Sequence, residues 1–267
     1  CIVDFNGSLE KHELVFNCGG DTSGFMSLVG NYDKENSKWH GAVNEFFISN
    51  PLSGAISLQK PLIVDINTAS MEGNVSAFNL SGDDIGTIAV SPTIFGPKEV
   101  KSALKVASFK LESLKPFLPE GTFVSGTVAA DADVNIKNGV PDIKTYITSN
   151  RIAAASQGAL IILDKVDLNA DMTQNTLTLN ALLNLLGDRG NVDASLKISD
   201  PTGVKRLSGH LNLNNLDLSL FTAVGGAFNA LEGSAGINGD FSGTLEKPLF
   251  NGSIMVKGKG EPRYDVG

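Results

Sequence analysis

Three histidines, two cysteines and two close pairs of carboxylates are the residues of this chain best equipped to do chemistry. A zinc site needs Cys and His ligands gathered at short, characteristic spacings. His12, His40 and His210 stand far apart, and none has a cysteine or second histidine at such a spacing. Asp83 and Asp84 sit in a Ser-Gly turn, and Asp131 and Asp133 lie two apart on one polar strand face. Glycoside hydrolysis would need two carboxylates facing each other across a cleft. The sugar platforms that usually accompany them are scarce, with one Trp and three Tyr in 267 residues. No G-x-S-x-G, H-E-x-x-H or phosphate-cradling Gly-Lys-Ser/Thr loop occurs. The expectation is a non-enzymatic protein with no catalytic residues, no metal and no cofactor.

Cys1 and Cys18 flank two short strands and a polar turn near Gly7 to Lys11. If that hairpin is symmetric about Leu9 and Glu10, the two cysteines lie opposite each other. A cross-strand disulfide, and with it an oxidising compartment, is then geometrically available; the alternative is two unpaired thiols.

Composition narrows the function classes further. Hydrophobic residues make up 42 % of the chain, enough for a folded core. Charged residues are only 19 %, and the net charge is −8. Nucleic acid is bound by Lys and Arg neutralising phosphates, so no nucleic-acid partner is expected. The same balance gives no attraction toward anionic headgroups, so any lipid would have to be held by its tails. No run of 18 apolar residues exists to span a bilayer as a helix. The chain begins inside a strand-like pattern, CIVDFNG, as a mature or excised segment would.

The elements that would carry any site are strands. Alternation of period two recurs from Leu14–Phe16 to Phe250–Val256, punctuated by turns such as Ser-Gly-Asp-Asp at 81–84 and Asn-Gly at 138–139. Spacings of roughly 8 to 14 residues predict an antiparallel meander and an all-β fold. Short helices are expected at Pro97–Val106, Leu182–Leu186 and Leu220–Phe228, as plugs or caps. The domain plan is a stretch of β repeats over 1–96, a helical insert over 97–108, and continuing repeats of the same elongated domain over 109–267. A faint duplication supports it: Phe109–Leu114 resembles Leu211–Leu216, and Gly126/Pro141 and Gly233/Pro248 share one spacing.

Strands with one apolar face close in one of two ways. They pack against a second sheet as a dry sandwich or solenoid, or they curl so that the apolar face lines a groove wide enough for acyl chains. Alternation alone assigns the lining of such a groove to Leu168, Ala170, Leu177, Leu179, Leu196, Ile198, Leu211, Leu213, Leu216, Leu218, Leu220, Ile237 and Phe241. A register error of one residue would turn each set outward.

Several runs carry a resemblance. Gly7, Leu9, His12 and Leu14 form a G-x-L-x-x-H-x-L pattern, followed by TSGFMSLVGNYDKENSKWHGAVNEFFI (22–48), ISLQKPLIVDI (56–66) and FNLSGDDIGTIAV (78–90). FKLESLKPFLPEGTFVSGTVAADADV (109–134) and LEGSAGINGDFSGTLEKPLFNGSIMV (231–256) look like one repeated unit. Together they resemble the periplasmic, middle-to-C-terminal part of the TamB family (translocation and assembly module subunit), within the AsmA-like, bridge-type lipid-transfer group. The resemblance implies an elongated, curled antiparallel or mixed sheet, a half-pipe folded like a taco, with an apolar lumen and a few short helices. It implies the periplasmic part of an inner-membrane-anchored Gram-negative envelope protein. Its ligand would be phospholipid acyl chains in transit between inner and outer membranes, and/or its role would be to assist outer-membrane protein assembly. A TamA-like outer-membrane barrel would be the partner, contacted through regions outside this segment. The rival reading is a structural solenoid or adhesin-type module with a closed core and no ligand.

Overall fold

The computed structural model describes residues 1–51, 54–156, 159–221 and 228–262, most of them in strands. The chain divides into two units. One holds Cys1–Pro116 with Ala129–Lys144, the other Phe117–Val128 with Thr145–Gly267.

In the first unit, β1 (Ile2–Gly7), β2 (His12–Cys18), β3 (Ser23–Asp33) and β4 (Lys38–Asn50) pair antiparallel in chain order. Cys1 and Cys18 stand opposite each other at the open end of the first hairpin, with Cα atoms 4.1 Å apart, and their sulfurs are bonded. The next three passes of chain are each broken at mid-length. They give β5 (Gly54–Leu58) and β6 (Leu62–Asn67), β7 (Glu72–Val75) and β8 (Phe78–Gly82), then β9 (Gly86–Val90) and β10 (Thr93–Phe95). The following strand, β11 (Glu99–Lys110), runs whole. Between β4 and β11 the halves form two lanes, β6–β7–β10 and β5–β8–β9, so that the long strands border both.

The breaks at 59–61, 76–77 and 91–92 fall side by side and crease the sheet. Pro61 and Pro92 have no N–H to give the ladder, which is why chain passes interrupt there. Serines take up the backbone groups left over. Ile63 N–H donates to Ser76 Oγ (2.9 Å) and Ala103 N–H donates to Ser91 Oγ (2.7 Å). The serine backbone closes each stitch, Ser76 N–H reaching the Ile63 carbonyl (2.8 Å) and Ser91 N–H the Ala103 carbonyl (2.9 Å).

β12 (Phe123–Lys137) and β13 (Val140–Ser149) contribute residues to both units. The second unit continues with β14 (Ile152–Ser156), β15 (Ala159–Thr173), β16 (Thr176–Leu185), β17 (Asn191–Ser199), β18 (Arg206–Asp217), β19 (Phe228–Gly243) and β20 (Pro248–Pro262). Here β12 pairs with β14, and from β14 to β20 each strand pairs antiparallel with the next. Ser149 at the break before β14 makes a third stitch, its hydroxyl donating to the Thr127 carbonyl (2.6 Å). The faint duplication of the sequence is structural: Gly126 and Gly233 both have φ +126°, and a side chain at either would strike a cross-strand carbonyl, that of Arg151 or Lys257.

Two helical expectations are corrected. Residues 99–110 form β11, because Val100, Leu104 and Val106 also fit a period of two and the free edges of β9 and β10 supply partners; there is no helical insert over 97–108. Leu182–Leu185 belong to β16, and only Leu186–Asp188 make a 3-10 turn. Of the expected Leu220–Phe228 helix, 222–227 lie outside the described residues, and Leu218–Phe221 form a 3-10 turn. A further 3-10 stretch spans Leu111–Phe117.

These turns fill a notch. Leu185, the last residue of β16, pairs with Leu163, leaving the start of β15 to run on past it; β19 likewise begins before its first pair with β18, Ser234–Asp217. The turn Leu218–Phe221 packs against both projecting strands. It is clamped by Arg189, whose Nε donates to Asp217 (2.7 Å) and whose Nη2 donates to Ser219 Oγ (2.6 Å). Burial alone would raise the Asp217 pKa, but hydrogen bonds from Arg189 and Ser219 hold it below the usual carboxylate value.

The core is thin. Six apolar side chains are buried among the described residues, and no large one is fully enclosed. The accessible surface is 16475 Å². A folded monomer of this mass exposes about 11,000 Å², and two separate bodies of half the mass about 13,000 Å² together. Half-exposed sheet faces among the described residues contribute to the excess.

Two stability outcomes are expected. Ser91→Ala leaves the Ala103 N–H without its acceptor and should cost about 1–3 kcal/mol in urea unfolding, whereas exposed Ser208→Ala should be near neutral. Because the folded-state pKa of Asp217 is depressed, the clamp's contribution is present above about pH 4 and lost as pH falls through the folded value. In acid titrations followed by circular dichroism, Asp217→Asn should therefore flatten the loss of stability below about pH 4.

Candidate functional site

Pairing register assembles the apolar face of the second unit strand by strand. One row across the sheet runs Ala170, Leu179, Leu196, Gly209, Phe241 and Phe250, each residue opposite the next. The next row runs Leu168, Ala181, Ala194, Leu211, Gly239 and Gly252. A third holds Val166, Leu183, Val192, Leu213, Ile237 and Ile254, and a fourth, on the other side, Met172, Leu177, Ile198 and Leu207. Ten of the residues expected to line a groove, Leu168, Ala170, Leu177, Leu179, Leu196, Ile198, Leu211, Leu213, Ile237 and Phe241, thus share one face.

Of the other three, Leu216 keeps to this face across a bulge, opposite Ala235, and two part company with it. Asn214 and Asn215 bulge out of β18, Asn215 with φ +53°, so Leu216 resumes opposite Ala235 beyond the bulge. Leu218 and Leu220 leave the sheet altogether in the clamped 3-10 turn, where Leu220 is buried. Their period of two was a coincidence of spacing; the hydrogen bond from Ser219 N–H to Asp217 Oδ1 (2.8 Å) turns the chain there.

Ile198 and Leu207 on one side, and Val166, Leu185 and Leu220 on the other, are buried, while most residues of the two central rows are half-exposed. Between them lies a cavity of about 370 Å³ lined by Thr145, Ile147, Leu168, Ala170, Leu179, Ala181, Ala194 and Leu196, the size of a small-ligand site. The lining comes from β13, β15, β16 and β17 alone, so the sheet presents a shallow concavity here. Each central row has small residues between larger ones, and the floor is lowest at Ala181 and Ala194 and at the Gly239–Gly252 pair.

The opposite face is polar. Asn169, Asn180, Ser195, His210, Asp240 and Asn251 form one row, with a His210 Nδ1–Asp240 Oδ1 contact of 2.9 Å. Among the described residues, no group of three or more His, Cys, Asp or Glu side chains is placed to hold a metal. No described helix is long and apolar enough to cross a membrane.

Alternation also marked apolar strands in the first unit, but no residue there was expected to line a groove. Register builds an equivalent face from Leu14, Leu28, Val43 and Leu62, from Leu58, Leu80, Ile88 and Val106, and from Phe78, Val90 and Leu104. The Trp39 ring covers the paired glycines Gly30 and Gly41, and its indole N–H donates to His12 Nε2 (3.1 Å). His12 is thus a packing residue on β2. The missed signal was the length of each hairpin, which fixes register and sets these residues side by side.

Fold and face together define an all-β protein: in each unit the described residues form antiparallel sheet with one predominantly apolar side. Residues 2–256 match the family model described as TamB, N-terminal domain, and the chain belongs to the TamB family. The matched domain is the N-terminal one, in place of the middle-to-C-terminal part to which the resemblance pointed. Over 265 residues the chain is 19% identical to the translocation and assembly module subunit TamB of Haemophilus influenzae, covering 96% of this chain and 20% of that protein. The chain therefore spans about a fifth of the length of this curated relative. No solved structure matches it.

If the central rows are open floor, a charge placed there meets water rather than a dry core. Leu179→Asp should leave the far-ultraviolet circular dichroism spectrum intact and abolish the fluorescence gain of an apolar dye. Asn180→Asp, on the opposite face, should leave both signals unchanged.

Proposed function

We propose that this chain is a non-enzymatic part of the cell envelope whose apolar face carries phospholipid acyl chains across the aqueous space between inner and outer membranes. The observation that carries the reading is the set of uncovered apolar rows running at right angles to the strands. From β15 to β20 they extend about 24 Å, five strand spacings. One leaflet's acyl layer is about 15 Å deep, so a tail laid along the rows is covered over its length. A sixteen-carbon tail exposed to water forfeits about 12 kcal/mol of burial, and a continuous apolar floor removes most of that barrier. Such transport needs no nucleophile, metal or charge.

The bonded Cys1–Cys18 pair is consistent with an oxidising compartment and supports a periplasmic location for the segment, as part of an inner-membrane-anchored protein. The relative's printed name, translocation and assembly module subunit, supports a complex with a TamA-like outer-membrane barrel, reached through regions outside this chain. Assistance to outer-membrane protein assembly is the companion role, since an amphipathic strand presents the same kind of apolar face as a lipid tail.

The test is photocrosslinking in cells, with a light-activated amino acid at Leu196, Leu213 or Asn212 of the full-length protein. Asn212 pairs with Asp193 and Asn238 on the polar face and serves as the outward control. Phospholipid adducts at Leu196 and Leu213 and none at Asn212 are expected. Protein adducts alone would replace lipid with polypeptide as cargo. Adducts at none of the three would favour a closed structural module.

A further inference from the structure

Three aromatic rings lie over glycines on the apolar faces: Trp39 over Gly30 and Gly41, Phe95 over Gly73, and Phe250 over Gly239 and Gly252. A ring over a bare backbone fills a hole in the floor, and this is the ordinary use of the motif. The three differ in how they are held. Trp39 is anchored by its hydrogen bond to His12 and lies in a stack with that ring at 6.3 Å. The Phe95 ring lies on Gly73 and is half-buried. Phe250 has no polar anchor, is 41% exposed, and its ring partner is Phe241, at 5.2 Å and tilted by 53°.

Its position gives that freedom a consequence. The low central floor runs from the cavity at Ala181 and Ala194 toward the pair Gly239–Gly252. The two glycine backbones approach so closely that a Cβ on Gly239 would lie 2.6 Å from the Gly252 Cα. This pair would be the deepest point of the floor, yet the tip of the Phe250 ring stands 2.6 Å from that Cβ position and 2.9 Å from the one on Gly252. Moving one side chain opens the depth, and an exposed ring changes rotamer without disturbing the ladder beneath it.

We propose that Phe250 is a movable stop in the groove: a specificity-determining side chain that closes the lane at β19–β20 until an acyl chain displaces it. This rests on the acyl-chain reading above and assigns that reading a control point. The occupant is a flexible hydrocarbon tail, because passing beneath or beside a single phenyl ring requires a chain about one methylene wide. A paired polypeptide strand spans about 4.8 Å to its neighbour and would need the whole face cleared.

The test compares lipid adducts on either side of the ring in the full-length protein, from a light-activated residue at Leu196 and, separately, at Ile254, the same-face neighbour of Gly252. In Phe250→Ala the Ile254-to-Leu196 adduct ratio should rise about fivefold, equivalent to about 1 kcal/mol of barrier removed. Adducts at Leu196 should be unchanged, and Phe250→Trp should keep the wild-type ratio. Melting of the purified variants checks folding; a variant that melts normally with an unchanged ratio makes Phe250 a floor filler and overturns the stop. Absence of lipid at Leu196 in the unmodified protein overturns the groove reading itself, and the stop with it.

Discussion

An antiparallel strand sends alternate side chains to opposite faces, so a hairpin offset by one residue would set Leu179 against Ser195 instead of Leu196. Everything particular to this molecule depends on that parity being kept from one turn to the next. Leu213 meets Ile237, and Ile237 meets Ile254, because the turns between them have lengths that preserve it. Where a strand gains a residue, as in β4 between Leu28 and Val43 on one side and Met26 and Phe46 on the other, a bulge absorbs it and the apolar residues stay on their own side. Burial contributes little per residue here, since most of the face is half-exposed. The ladders are therefore the main ordering element, and the packing follows from them.

The sheet face was legible because its signal is local. Leu177, Leu179, Leu196, Ile198, Leu211 and Leu213 alternate cleanly with polar neighbours, and no tertiary information is needed to put them on one side. What failed was local spacing that two conformations share. Val100, Leu104 and Val106 satisfy both a helical and an extended pattern, and the free edges of β9 and β10 decided between them. Leu218 and Leu220 kept a period of two into a 3-10 turn, because the clamp from Arg189 acts across 28 residues of sequence. The crease was hidden for a similar reason. Ser76 and Ser91 read as ordinary polar residues until the cross-strand partners Ile63 and Ala103 are in place.

The polar face accounts for the residues that first suggested chemistry. His40 contacts Asp65 and His210 contacts Asp240, each pair directly opposite on neighbouring strands. Cross-strand opposition of unlike groups is a common way for a solvated sheet face to settle its polar side chains. Asp84 pairs with Lys110 and Asp131 with Lys105 in the same spirit, at partly exposed sites where such contacts stabilise weakly. One carboxylate of each pair that a glycosidase would have needed, Asp84 and Asp131, is occupied with a lysine instead.

The parity of the ladders also bears on heredity. A hairpin is the smallest increment that returns the chain to its starting direction with both faces conserved, and each one lengthens the floor by about 9.6 Å. Duplicating a hairpin leaves earlier and later pairings intact, much as in other repeat architectures. Losing or gaining a single codon within a strand does the reverse, exchanging wet and greasy sides from that point to the next bulge. In such a lineage, length is free to drift in pairs of strands while single-residue frameworks are held rigid. The bulges in β4, β15 and β18 are places where an extra residue is tolerated because the backbone folds it out of the way.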